Sequence, residues 1–208
     1  MPTRRTIRAK QTIFYQGEAA GHIYRIVDGL VRAYVINENG AESTVAFFGP
    51  HDYFPLTAAF DIAPVTLFYY ETVIDSTLEA SSSAELVSQL QADAAGELHR
   101  FATRYVGALL HISALTQQTA SLKLAHTLRY LSVRFGEKLI IGSRTKIGIK
   151  LTQHDLASLS NLSRETVSIE LGRLKKHDIL TVKEKYYFIN IAKLNAYMNE
   201  ETPTIRLT

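Results

Sequence analysis

Residues 162 to 180, LSRETVSIELGRLKKHDIL, constrain this chain more than any other stretch of it. At about 100° of rotation per residue, Val167, Leu171 and Leu174 fall in one narrow stripe, so the segment is a short helix with a single buried side. Arg164, Glu165, Ser168, Gly172, Lys175 and Lys176 share another arc, and Ile169 lies among them. Upstream, Thr152 with Asp155 three residues on is a capping-box start for an earlier helix. Leu156, Ala157, Leu159 and Leu162 give that helix its buried side. Asn161 stands where the chain turns through left-handed geometry, which asparagine tolerates, and Ser163 caps the second helix. After Lys176, ILTVKEKYYFINI reads as a hairpin and IAKLNAYMN as a last short helix.

Helix, tight turn, capped helix and two-stranded wing form the winged helix-turn-helix plan, here with its two helices over about residues 153 to 172. In that plan the second helix enters the major groove of double-stranded DNA. Its first residues meet base edges, which makes Arg164, Glu165, Ser168 and Ile169 the base-reading candidates. Arginine donates a bidentate pair to guanine, glutamate accepts from cytosine N4, and an aliphatic packs on a thymine methyl, which gives the exposed isoleucine a role. Thr152, Gln153, Ser163, Thr166, Arg173, Lys175, Lys176 and Tyr187 on the wing are the phosphate-contact candidates.

The charge distribution agrees. Residues 1 to 32 carry six basic against two acidic groups, residues 33 to 99 none against ten, and residues 100 to 208 seventeen against eight. An acidic middle followed by a basic C-terminal half suggests two modules, the second with a polyanionic partner.

From Ile13 to about Leu78 the texture is β, with IYRIV, LVRAYVI, STVAFF and VTLFYYETVI rich in β-branched and aromatic residues. Gly17, Gly29, Gly40 and Gly49 fall 12, 11 and 9 residues apart, the turn rhythm of an antiparallel roll. Asn39-Gly40 is the strongest hairpin signal and predicts a type I′ turn, in which both residues take positive φ. Beyond Ser81-Ser82-Ser83 the texture turns helical. Leu98, Phe101, Tyr105, Ala108, Ile112 and Leu115 recur at a mean step of 3.5 residues, the spacing of a seam that faces a partner helix. A second helix spans about Ala120 to Phe135, and two extended runs, LII and KIGIK, lead to Thr152. The expected domains are therefore a β-roll sensor (1–83), a linker and dimerisation helix (84–118), and a winged helix-turn-helix domain (119–208).

LTQHDLASLSNLSRETVSIELGRLKKHDIL closely resembles the DNA-binding helices of the CRP/FNR family of bacterial transcription regulators. FYQGEAAGHIYRIVDGLVRAYVINENGAESTVAFFGPHDYF resembles that family's cyclic-nucleotide-binding-type roll. The resemblance implies an α+β chain, with an N-terminal antiparallel jelly roll, a long dimerisation helix and a C-terminal winged helix-turn-helix. It also implies a homodimer on a near-palindromic duplex, with RNA polymerase as a further partner. An effector on the roll is then expected to act by altering hinge geometry near residues 116 to 120.

Two departures matter. The family's recognition helix usually reads Ser-Arg-Glu-Thr-Val-Ser-Arg, and Ile169 stands where the last arginine would be, so Arg164 and Glu165 carry over as base readers and an altered half-site is expected. Family members that bind cyclic AMP hold its phosphate with an arginine, yet between Arg32 and Arg100 there is no lysine or arginine, and Pro55-Leu56-Thr57 replaces the ribose-binding stretch. A buried phosphate without a cationic partner costs several kcal/mol, so cyclic-nucleotide binding is not expected. Phe48, Tyr53, Phe54, Phe68 and Tyr70 crowd the corresponding segment and are either core or an apolar effector pocket.

With no cysteine, disulfides, thiol nucleophiles and thiolate-held zinc or iron–sulfur clusters are excluded. His22, His51 and His99 are isolated, so neither haem nor a metal is expected, and no cofactor is assigned. The rival readings are a jelly-roll metal enzyme and a non-DNA interaction module. The first wants clustered histidines with a carboxylate, which the chain lacks, and no Gly-x-Ser-x-Gly elbow supports a hydrolase. No catalytic residue is assigned. No apolar run approaches the ~18 residues that cross a bilayer, which makes the cytoplasm the expected compartment.

Overall fold

The computed structural model describes residues 3–60, 62–138 and 144–201. The chain divides into two compact units, Met1–His99 and Arg100–Thr208.

The first unit is a roll of β1 (Thr3–Ile7), β2 (Thr12–Phe14), β3 (Ile23–Asp28), β4 (Val31–Ile36), β5 (Glu42–Phe48), β6 (Tyr53–Phe54), the short α1 (Leu56–Ala59), β7 (Tyr69–Thr72) and β8 (Ser76–Ser81), followed by α2 (Ser83–Ala92). Two four-stranded sheets run in the orders β1-β8-β3-β6 and β2-β7-β4-β5, and all their pairings are antiparallel. Ile7, Phe14, Ile26, Val31, Ala33, Phe54, Tyr70 and Leu78 meet between them. Each isoleucine, valine, leucine and phenylalanine of this set contributes about 1.5–3 kcal/mol on leaving water, which is what holds the sheets face to face.

Of the two readings of the aromatic crowd, the structure shows core packing. Phe54 and Tyr70 stack with ring centroids 5.2 Å apart, Phe48 lies 5.8 Å from Phe54 and 5.9 Å from Tyr70, and Phe68 packs against the same cluster. These rings fill the space themselves. Tyr53, next to Phe54 on β6, faces the other side of the strand and packs with Ile23 and Leu86. A cleft of about 460 Å³ in this unit lies elsewhere, lined by residues including Thr3, Arg5, His22 and Tyr24.

The Asn39-Gly40 hairpin forms with a different turn. The Gly40 amide donates to Asn37 O (2.8 Å) and the Asn37 amide to Ala41 O (2.9 Å), and only Gly40 is at positive φ. The connection is a four-residue turn, Asn37 to Gly40, ending in a left-handed glycine rather than a two-residue type I′ turn, because Asn37 rather than Glu38 bonds to Ala41.

α3 (Ala94–Leu115) crosses the division between the units, and its residues 100–115 group with the second one. That unit continues with α4 (Ala120–Phe135), β9 (Gly136–Lys138), β10 (Arg144–Ile147), α5 (Gln153–Ser160), α6 (Arg164–Lys176), β11 (Leu180–Lys183), β12 (Tyr186–Asn190) and α7 (Ile191–Glu201). Its sheet runs β11-β12-β10-β9. α4 begins and ends where its pattern predicts, with Thr119 as N-cap, and Leu122, Leu124, Ala125, Leu128 and Leu131 fully buried. Of the two extended runs expected before Thr152, LII lies outside the described residues. No helix among the described residues is long and apolar enough to cross a membrane.

Candidate nucleic-acid interface

Local chemistry builds the two helices. The Thr152 hydroxyl accepts the Asp155 amide (3.2 Å), and the Asp155 carboxylate accepts the Thr152 amide (2.8 Å) and hydroxyl (2.7 Å). α5 therefore starts with its first orphan donors satisfied. Asn161 ends it at φ 52°, ψ 46°, its amide returning to Ala157 O. Leu162 follows with a second bond to the same carbonyl, and the Ser163 hydroxyl then accepts the Thr166 amide (3.1 Å). Val167, Leu171 and Leu174 seat α6 on α4 and α5, each 1% exposed or less.

That seating turns Arg164, Glu165, Ser168 and Ile169 to solvent, with Ile169 59% exposed. Glu165 carries hydrogen bonds from its own backbone amide and from the Ser163 hydroxyl, with Arg164 adding to them, and its carboxyl is held below the usual carboxylate value. It stays an ionised acceptor at any physiological pH. Thr152, Ser163, Lys175 and Lys176 are exposed, while Gln153 and Thr166 are half-buried. Arg173 is exposed but engaged, since its Nη1 lies 2.9 Å from Oε1 of Glu170, a buried carboxylate that helical spacing alone did not reveal.

Tyr187 is a correction. It is 3% exposed, and burial, with Asp155 nearby, pushes its phenol up to about 12. A side chain inside the domain core cannot reach a phosphate. The outward residue is its neighbour Tyr186, whose ring lies 4.4 Å from Lys146 Nζ and 5.3 Å from Lys150 Nζ.

The wing supplies further cations that the helix-centred reading missed. Glu184 and Lys185 both adopt positive φ (52° and 67°), which closes the β11–β12 hairpin without glycine or asparagine. Lys183 and Lys185 are exposed beside that turn, and Lys185 O accepts the Leu151 amide (3.1 Å), tying the wing to the residue before the α5 cap. The alternation of Lys183-Glu184-Lys185 after a β run was the available signal. At the far end of α6, Asp178 bonds to Lys193 and Arg144, which hold its carboxyl below its ordinary value.

The six residues of the expected seam are all exposed along α3: Leu98 68%, Phe101 56%, Tyr105 58%, Ile112 58% and Leu115 39%, with Ala108 among them. About a third of a turn around the helix, the face formed by Gly107, His111 and Ala114 is buried.

Comparison with known proteins agrees with this geometry. Residues 4–89 match the model of the cyclic nucleotide-binding domain, and residues 122–197 match that of the Crp-like helix-turn-helix domain. The chain is 27% identical over 195 residues to the regulatory protein HlyX of Actinobacillus pleuropneumoniae, covering 90% of this chain and 78% of that one. It is 27% identical over 194 residues to the fumarate and nitrate reduction regulatory protein of Vibrio cholerae, covering 89% and 74%. Among solved structures, FixK2 from Bradyrhizobium japonicum superposes with a TM-score of 0.71 at 24% identity, covering 94% of this chain and 96% of that one. A roll, a long helix and a Crp-like helix-turn-helix in this order place the chain in the CRP/FNR family, and it is a DNA-binding transcription regulator.

Proposed function

We propose that the chain acts in the cytoplasm as a homodimer that reads a near-palindromic duplex through two copies of α6, and that it does so without cyclic nucleotide. The observation that carries the dimer is the apolar seam of α3. Four of its aromatic and branched side chains, Leu98, Phe101, Tyr105 and Ile112, are more than half exposed. A stripe of that size in water is a liability unless another surface covers it, and its 3.5-residue spacing matches a second copy of itself.

Arg164, Glu165, Ser168 and Ile169 read bases, and Thr152, Gln153, Ser163, Thr166, Lys175 and Lys176 meet phosphates. Arg173 serves chiefly as the counter-ion of Glu170. Lys150, Lys183 and Lys185 extend the phosphate contacts to the wing. The case against a cyclic nucleotide rests on Arg32, the last cation of the roll, which is 6% exposed and already bound to Glu71 and Glu42. RNA polymerase is the further partner of the DNA-bound dimer. With no cysteine, any signal reaches the roll by a route other than a disulfide or a thiolate-held cluster.

Binding to a randomised duplex pool, followed against salt, tests the reading. An enriched inverted repeat, bound with a slope in log K against log salt of about −0.9 per phosphate contact, is the expected result. The same protein melted with and without cyclic AMP should show no ligand-dependent shift.

A further inference from the structure

His111 sits in the middle of α3, 5% exposed, on the face away from the seam. Its Nε2 lies 2.9 Å from the carbonyl oxygen of Leu159. A carbonyl brings no proton, so Nε2 carries the hydrogen and donates it, which fixes the tautomer. Leu159 is the penultimate residue of α5, and its carbonyl is one of the last four that a helix leaves without an internal partner. The imidazole of one helix thus caps the C-terminus of another, where the helix dipole favours a donor. The same ring stacks on Tyr130 of α4 at 5.0 Å and 20°. One turn earlier, Gly107 leaves room for the aliphatic stem of Arg134: a Cβ added there would come within 2.4 Å of its Cδ.

The junction after α3 is also tied. The Thr116 hydroxyl and Gln117 Nε2 both donate to Ser113 O (3.0 and 2.9 Å), the Gln117 amide reaches Ala114 O, and the Thr119 hydroxyl opens α4. Gly107, His111 and Ala114 interleave with Tyr105, Ala108, Ile112 and Leu115, about a third of a turn around the same stretch of helix. The segment that would meet a partner helix is therefore the segment that grips the helix-turn-helix.

We propose that His111 fastens α5 to α3 so that the seam of the dimer, rather than bending at residues 116 to 119, sets the distance between the two recognition helices. His111 is in this sense a positioning residue that determines operator spacing. The inference rests on the dimeric reading above. Its consequence is strict discrimination between duplexes whose half-sites are identical but differently spaced, because each added base pair moves a half-site along the groove and around the axis.

The experiment uses full-length protein and duplexes carrying the selected half-sites at their selected spacing, or with one base pair inserted or removed. Wild-type protein should lose at least about tenfold in affinity on either change. His111→Leu, which fills the site without a donor, should bind a single half-site as wild type does but lose most of that discrimination. His111→Gln, which restores an N–H donor, should recover it. Discrimination unchanged in His111→Leu overturns the fastening and leaves base reading intact. Failure of the wild type to select any paired site overturns both. If His111→Leu does not fold, the ¹⁵N–¹H spectrum of wild-type imidazoles decides: an Nε2–H proton in slow exchange supports the clasp, and an Nδ1–H tautomer overturns it.

Discussion

Arg173 lies one turn after Glu170 on α6 and donates Nη1 to its Oε1 at 2.9 Å, so that an exposed cation neutralises a carboxylate only 5% exposed. The other carboxylate oxygen, Oε2, is buried without a hydrogen-bond partner. Replacing Arg173 by Ala leaves that buried charge uncompensated, at a cost of about 1–3 kcal/mol. Arg173→Ala should lower the denaturant midpoint by a corresponding amount, and Glu170→Gln in the same background should recover part of it. A midpoint unchanged in Arg173→Ala would show that solvent alone satisfies Glu170.

Ile169, 59% exposed on the arc it shares with Arg164 and Glu165, has no packing role that would hold it there. A methyl contact to thymine accounts for it, and exchanging that contact for a bidentate pair to guanine is worth about 1–3 kcal/mol at one base position. Ile169→Arg should therefore move the preferred base at one symmetric pair of positions in a randomised-duplex selection. An unaltered motif would reduce Ile169 to a solvated aliphatic.

Ile112 projects from the exposed seam face of α3, about a third of a turn from the buried His111 side. A carboxylate there would be desolvated in a dimer and would face its own symmetry mate. Ile112→Glu should yield a monomer by sedimentation, with folding retained because the side chain is exposed within one copy, and binding to a full operator should fall toward that of a single half-site. A variant that still sediments as a dimer would place the interface elsewhere.

Asp178 is bonded by Lys193 and Arg144, which lower its pKa. A group whose folded pKa lies below its unfolded one stabilises the fold above the unfolded value and loses that stabilisation as pH falls through the folded one. Asp178→Asn should therefore lower the unfolding midpoint at neutral pH and flatten its decline in the acid range below about pH 4, the ordinary aspartate value. Parallel pH profiles for the two proteins would show that the three groups are merely solvated.

What the sequence made legible was local. Thr152 with Asp155, Asn161 and Ser163 carry their caps and their left-handed turn in their own side chains, so both helices of the DNA-binding motif and the stripe that seats α6 were readable. What depended on strand facing was not. Adjacent strand residues point to opposite faces, so a reading shifted by one exchanges inside for outside: Tyr187 lies within and Tyr186 without, Phe54 in one cluster and Tyr53 in another. The aromatic crowd of the roll looked equally suited to a pocket or a core, since composition does not say whether rings meet each other. β1 was unread because TRRTI sets two adjacent arginines between hydroxyls and buries only Ile7, and it is a strand because it pairs with β8, at the far end of the roll's sequence. His111 and Glu170 gave no signal either, because their burial is created by helices that the sequence lists far from them.

Base reading by a pair of α6 helices is tested most directly by one selection: wild-type protein and Arg164→Ala, each offered the same randomised duplex pool. The prediction is an inverted repeat for the wild type, its half-sites centred about 10 base pairs apart, with the specified base opposite Arg164 lost in the variant while the rest of the motif persists. Wild-type protein that enriches no motif, or a variant that enriches the identical one, would contradict it.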